Sequence, residues 1–369
     1  MRVIVTGGGT GGHIYPALAI AKGILAQQKN AKVLYIGTRE GMEARLVPEA
    51  GIEFAGVSGQ GLPRKLSLET VKVGGKSIKA LWETKQILKK FKPDLVVGTG
   101  GYVSGPVVLT AAFFGIPTLL HEQNALPGIT NKILARFVRK VLVTFPESIP
   151  HFGASRKIVL TGLPVRQEIG RISREEGAKS LGLDGQKPTL LVTGGSRGAR
   201  SINQAMPFVL KELANHPEIQ VIWATGKATY QETLKNLNDL GIQWERKNWL
   251  VLEYLKDMPQ ALACADLFVG RAGATTLAEI MVAGKPGILI PYPFAAENHQ
   301  EYNARALEKK GAAWVILDKD LTGEALWQSV KALIDNPEKL KKMAEASQKL
   351  GQPEALSKIV EVCLETAWQ

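Results

Sequence analysis

The chain has 369 residues, 45% of them hydrophobic and 22% charged, with a formal net charge of +12. That length suffices for two domains with full cores, and the composition is that of a soluble α/β protein. Two cysteines, Cys264 and Cys363, exclude a disulfide framework, and the five histidines lack metal-ligand spacing to one another, so no metal or cofactor is expected.

The chain opens with "MRVIV", a β-branched run that reads as a buried strand, and Met1 leads into it without a secretory leader. "TGGGTGGHIYPALAIAKGILAQ" follows as a glycine loop and then a helix, with Pro16 suited to the first turn. A loop of this kind lets backbone N–H groups approach an anion. Gly7, Gly9 and Gly12 match the dinucleotide pattern G-x-G-x-x-G, but the second strand, "KVLYIG", ends without the ribose-binding acid such a site requires. A tight turn without a ligand also fits the glycines.

From Gln60 to Asp94 there are nine Lys or Arg against three acids, half of the net charge, interleaved with leucines and Trp82. That pattern fits an anionic lipid surface. It also fits a solvated amphipathic helix, whereas nucleic acid is not expected because no reader motif accompanies the charge. Leu95 to Leu120 carries no charge over 26 positions. Its glycines and prolines exclude a lipid-exposed span, and it divides into strand ("DLVVGTG"), turn ("GYVSGP"), buried helix ("VVLTAAFFG") and strand ("PTLLHEQ").

"TGLPVRQEIG", Thr161 to Gly170, reads as a hinge, after which "TLLVTGGSRGARSINQAM" repeats strand, glycine loop and helix. The alternation continues through "IQVIWATG", "WLVLEYL", "ADLFVGRAG", "PGILIPYP" and "AAWVIL". Two similar α/β domains with parallel sheets follow from this echo. In "VGRAGATTLAEIMVAGKP" the small residues Ala274, Thr275 and Thr276 open a helix suited to a diphosphate. Glu279 follows within that helix, where a carboxylate accepts from sugar hydroxyls or simply faces solvent. Glu297, Asn298, His299 and Gln300 are bunched in "PYPFAAENHQEYNARAL", as sugar ligands or as a helix cap.

"GGGTGGHIYPALA", "GTGGYVSGP", "HEQNALPGITNK", "GLPVR", "GGSRGAR", "RAGATTLAE" and "ENHQEYNA" together, in this order, resemble glycosyltransferase family 28 enzymes of peptidoglycan synthesis. The resemblance implies a GT-B fold, two Rossmann-like domains facing across a cleft. It implies an inverting transfer of N-acetylglucosamine from UDP-N-acetylglucosamine to the C4 hydroxyl of the muramoyl sugar of lipid I, undecaprenyl-pyrophosphoryl-muramoylpentapeptide, giving lipid II. No metal is implied. The boundaries that go with it are 1–162 for an acceptor and membrane-association domain, joined by a C-terminal helix of about 345–369, and 163–344 for the UDP-sugar domain. The implied location is the cytoplasmic face of the plasma membrane, held peripherally, with cell-wall synthesis proteins as further partners.

Carried over by position, Thr10, Gly11, Gly12, Asn124, Arg166, Ser196, Leu255 and Gln300 fall on the donor side, with Leu255 offering its backbone to uracil. Ala274, Thr275, Thr276, Leu277, Ala278 and Glu279 match the diphosphate helix and its ribose carboxylate, and Gly101, Tyr102 and His121 fall on the acceptor side. Leu163 stands where the family often has Asn, and Arg197 where it often has Gln. The acceptor hydroxyl needs a base, and His13 is the candidate because imidazole titrates near neutrality. A role for His13 in binding acceptor or in packing the loop fits equally, with Glu122 and His121 in reserve as bases. Another GT-B UDP-sugar transferase acting on a lipid or natural product, a UDP-N-acetylglucosamine epimerase, and a binding protein without activity remain alternatives.

Overall fold

The computed structural model describes residues 1–59, 68–153, 156–195 and 197–368, with the side chains of 68–78 outside that description. Ser196 and the basic residues Arg64, Lys65, Lys72 and Lys76 therefore lie outside the described residues or side chains. The chain divides into two compact units, Met1–Pro164 with Glu354–Gln369, and Val165–Pro353.

The first unit is built on a parallel sheet of β1 (Arg2–Thr6), β2 (Lys32–Thr38), β3 (Glu53–Val57), β4 (Leu95–Gly98), β5 (Thr118–Glu122), β6 (Lys140–Val143) and β7 (Ile158–Leu160). The order is β3-β2-β1-β4-β5-β6-β7. Both faces are covered, so the strands are apolar throughout rather than alternating. Val3 and Val5 pack with Ile14, Ile20 and Ile24, while Ile4 and Val96 face Val107 and Val108 on the other side. Each such side chain, fully buried, contributes about 1.5–3 kcal/mol of transfer free energy. The strand order reverses between β1 and β4, and such a switch point opens a crevice at the strands' carboxyl ends. The first glycine loop and the segment Thr99–Tyr102 leave the sheet there.

The second unit repeats the plan with β8 (Thr189–Thr193), β9 (Gln220–Ala224), β10 (Trp249–Leu252), β11 (Leu267–Gly270), β12 (Gly287–Leu289) and β13 (Ala313–Val315). Its order is β10-β9-β8-β11-β12-β13, with the switch between β8 and β11. The second glycine loop and "RAGATT" thus emerge side by side. Two such Rossmann-like α/β units are the GT-B plan.

Two local expectations are corrected. The first helix runs Gly11–Gln27, so His13 lies in its first turn and Pro16 in its interior. Pro16 lacks an N–H and deprives the Gly12 carbonyl of its helical donor, a defect tolerated near a helix end. The helix after β4, Ser104–Phe113, is buried along Val107, Val108 and Ala111 but not at its end, where Phe113 is 73% and Phe114 49% exposed. The C-terminal helix Ala355–Ala367 packs on Gly11–Gln27, and Gly23 is the point of closest approach, since a Cβ there would press on Leu356 and Val360.

Candidate active site

In the first unit the two loops at the switch point close on each other through glycine. Gly9, Gly100 and Gly101 have φ of +83°, +104° and +81°, in the left-handed region that favours glycine. A side chain on Gly101 would overlap the Gly8 backbone, and Gly8 N–H donates to the Gly100 carbonyl at 3.3 Å. Thr99, within "GTGGYVSGP" but given no role there, donates its hydroxyl to the His13 carbonyl at 2.8 Å. His13 Nδ1 lies 3.1 Å from the Gly8 carbonyl. A carbonyl only accepts, so Nδ1 carries a proton, and in the neutral ring the lone pair is then on Nε2. The Cδ2–Nε2 edge of the ring lies against Gly100, where a Cβ would stand 3.0–3.1 Å away. Thr10 is exposed beside this ring, its hydroxyl 3.4 Å from Nδ1, with Gly11 and Gly12 opening the helix. Tyr102 packs over Gly9 and reaches the Thr38 hydroxyl at 3.5 Å.

His121 and Glu122 do not line this surface. His121 is 0% exposed, with Nε2–H donating to the Gly162 carbonyl at 2.9 Å and Nδ1 accepting from Gln123 at 3.1 Å. Burial pushes its pKa down to about 4, against the weaker upward pull of the Gly162 bond. A ring so enclosed offers neither nitrogen to an acceptor, which corrects its expected binding role. Glu122 is 1% exposed and accepts from Asn124 N–H (2.9 Å), Asn124 Nδ2 (3.2 Å), Gly128 N–H (3.2 Å) and Asn131 Nδ2 (2.8 Å). Burial raises its pKa while these donors oppose the rise. Its oxygens are spent in shaping the turn that carries half-buried Asn124, which corrects its reserve role as base.

In the second unit the helix Ala274–Val282 starts after Gly273 without any side-chain cap, and the space at Gly273 is open. The first N–H groups of this helix are available to an anion. Ala274, Thr275 and Thr276 are half-buried, while Leu277 and Ala278 anchor the helix in the core. Glu279 is only 6% exposed, and Arg166 stands 3.3 Å from its Oε1. Burial raises the Glu279 pKa and the Arg166 charge works against that rise.

The second glycine loop turns at Gly195 and Gly198, with φ of +83° and +77°, and Gly198 N–H donates to the Gly195 carbonyl at 2.9 Å. Arg197 beside it is exposed, and Leu255 is buried just beyond β10. Gln300 accepts the Tyr292 N–H at 3.0 Å, which assigns its carbonyl end to the loop. Glu297 and Asn298 before it hold φ of +51° and +55°, a strained conformation for side-chain-bearing residues that clusters at functional sites.

Sequence reasoning missed Arg271. Its guanidinium donates to the carbonyls of Ile290 (3.1 Å) and Pro291 (3.2 Å), to Ser201 Oγ (3.0 Å) and to Asp318 (2.5 Å). It therefore ties together the segments carrying the glycine loop, the uncapped helix and the Gln300 loop. Its position at a strand tip directly before "AGATT" was the available signal. Among the described residues no group of three or more His, Cys, Asp or Glu is arranged to hold a metal ion.

The model of the glycosyltransferase family 28 N-terminal domain matches residues 3–143, and that of the family's C-terminal domain matches 189–359. Over all 369 residues, the full length of both proteins, the chain is 83% identical to the "UDP-N-acetylglucosamine--N-acetylmuramyl-(pentapeptide) pyrophosphoryl-undecaprenol N-acetylglucosamine transferase" of Desulfitobacterium hafniense strain Y51. It is 54% identical to the protein of the same name from Desulforamulus reducens, over 99% of this chain and 98% of the relative. Among solved structures it is similar to Acinetobacter baumannii MurG, at 32% identity and a TM-score of 0.80 over 99% of each chain.

Proposed function

The chain belongs to glycosyltransferase family 28, and from that premise we infer that it is an inverting hexosyltransferase that makes lipid II. It moves N-acetylglucosamine from UDP-N-acetylglucosamine to the muramoyl C4 hydroxyl of the undecaprenyl-pyrophosphoryl pentapeptide. The observation that carries the donor half is the uncapped helix at Ala274 with the buried Glu279 carboxylate a turn and a half inside it. The helix N–H groups stabilise the charge that develops on the departing UDP. Glu279 accepts from the ribose hydroxyls, the Gln300 amide reaches the sugar, and the second glycine loop, Ser196 included, supports the diphosphate.

On the acceptor side, His13 Nε2 takes the proton as the C4 oxygen attacks the anomeric carbon. The bond from that carbon to the β-phosphate oxygen breaks, and its electron pair leaves with UDP. The tautomer set by the Gly8 carbonyl supports this role, because it leaves Nε2 as the basic nitrogen. Tyr102 and the glycines around it hold the acceptor.

The first unit also carries an apolar surface. Phe113, Ile129, Ile133 and Phe137 are 73%, 64%, 56% and 47% exposed, and the rings of Phe113 and Phe137 lie 6.0 Å apart. Arg136 and Arg139 are exposed beside them. Aromatic and basic groups together favour the interface of an anionic bilayer, and this supports peripheral attachment at the cytoplasmic face. No helix among the described residues is long and apolar enough to cross a membrane.

Incubation with UDP-N-acetylglucosamine and a lipid I analogue tests the whole reading. UDP release that requires the acceptor is the expected result. Conversion of the donor without acceptor would indicate an epimerase instead.

A further inference from the structure

Glu43 is a buried carboxylate that the reaction above does not use. It begins the short helix Glu43–Glu49 and is 0% exposed. Its Oε1 accepts from the Thr38 N–H at 3.0 Å and the Thr38 hydroxyl at 2.6 Å. Its Oε2 is buried without a hydrogen-bond partner among the described residues. An unpaired buried carboxylate oxygen is costly, and a well-packed apolar side chain of the same size would avoid that cost.

Glycines close around this carboxylate. A Cβ on Gly8 would stand 2.6 Å from Oε1, and one on Gly37 or Gly41 would overlap the side chain. Gly8 belongs to the first glycine loop, and its carbonyl holds the His13 ring. Beside Glu43, Tyr35 donates its hydroxyl to the Gly7 carbonyl at 2.7 Å. Burial first, and the Glu43 charge second, hold that phenol above its ordinary range, so it stays a donor. On the other side Thr38, gripped by Glu43, meets the Tyr102 hydroxyl at 3.5 Å. Both arms of the acceptor-side loops thus rest on one carboxyl group.

We propose that Glu43 is a positioning residue for the acceptor, fixing Gly8 and the His13 ring above it and, through Thr38, the phenol of Tyr102. The proposal rests on the assignment of these loops to the acceptor. Its core is a polar requirement. A floor needed only to fill the space is met by methionine, whereas positioning needs an oxygen that accepts from Thr38.

The test uses the full-length enzyme with a short-chain lipid I analogue, measuring kcat, acceptor KM, UDP affinity and the unfolding midpoint for Glu43→Met and Glu43→Gln. Glu43→Met removes the unpaired Oε2 but leaves the Thr38 N–H and hydroxyl without their acceptor, so it is expected to stay folded with a lowered unfolding midpoint and to lose roughly tenfold or more in kcat/KM for the acceptor. Its UDP affinity stays within about twofold of wild type. Glu43→Gln keeps one carbonyl oxygen for Thr38 and retains activity within about threefold. Thr38→Val removes the hydroxyl arm from the other side and shows the same acceptor-selective loss even where the Met variant does not fold. Wild-type acceptor kinetics in Glu43→Met or Thr38→Val would overturn the proposal, as would an equal loss of UDP affinity. A wild-type protein without acceptor-dependent UDP release removes the functional reading and this proposal together. Normal wild-type turnover with unaffected variants removes only the role of Glu43.

Discussion

Replacing Glu279 with alanine is expected to weaken UDP and UDP-N-acetylglucosamine by about 10- to 100-fold. Two ribose hydroxyls donating to one carboxylate give about 1.5–3 kcal/mol each before costs. Against this stands the contact with Arg166 at 3.3 Å, which the ligand must share or displace. Arg166 is 47% exposed, so that contact is worth only about 0–1 kcal/mol. Dehydration of the ribose takes a further part, and a net of about 1.4–2.8 kcal/mol corresponds to the stated range. Glu279→Gln loses less, since its amide oxygen still accepts.

The pH dependence has a defined sign. Burial raises the Glu279 pKa, so on acidification its carboxylate takes up a proton earlier than an ordinary glutamate and loses acceptor capacity. Wild-type affinity relative to Glu279→Gln therefore falls as the pH drops toward that raised value, and the ratio cancels the titration of UDP itself. Calorimetric titration of UDP into wild type and both variants, from neutral to mildly acidic pH, measures all of this. Equal affinities for the three proteins would refute the reasoning and remove Glu279 from the donor site.

His13→Ala is expected to lower kcat by roughly 10²- to 10⁴-fold with little change in donor KM; steady-state kinetics showing instead a raised acceptor KM at near-normal kcat would make His13 a binding residue. His121 has its pKa lowered from 6.5 to about 4, so its contribution to stability is full above 6.5 and is lost as the pH falls through that interval. The contribution is about 3 kcal/mol, and denaturant unfolding of wild type against His121→Gln measures it; parallel acid slopes would count against it. Phe113→Ser combined with Phe137→Ser is expected to weaken binding to anionic vesicles about tenfold or more while sparing turnover of a soluble short-chain acceptor. Charge reversal at Arg64, Lys65 and Lys72 should act in the same direction, and unchanged sedimentation with vesicles would sink the proposed surface.

Motifs that work through backbone were legible in the sequence. The glycine loops, the uncapped "AGATT" helix and the repeated β/α alternation depend on residue type at fixed spacing, and each stands where that spacing put it. The place of Glu279 in that helix was legible too, because its distance from a helix start is a count along the chain, whereas its burial was not. The side chains that work through tertiary contacts were not. His121 and Glu122 read as polar residues at a strand tip, yet the strand lies so deep that both are sealed by neighbours up to 41 residues away. Glu43 belongs to no motif read from the sequence, and only the glycines packed around it mark it out. Arg271 binds partners 19 to 70 residues distant, which no local pattern encodes. The helix start at Gly11 was missed because Pro16 marked the first turn too strongly.

The closure of the C-terminal helix over Gly23 bears on how the protein is made. Ile359, Val360 and Cys363 belong to the same core as Val3 and Val5, so the first unit lacks a wall until Ala355–Ala367 is translated. The whole of Val165–Pro353 intervenes, on the order of ten to forty seconds of synthesis at about 5–20 residues per second. Through that interval the face of Gly11–Gln27 that Ala355–Ala367 covers is without its partner helix, whereas the second unit is contiguous in the chain and needs no later segment for its core.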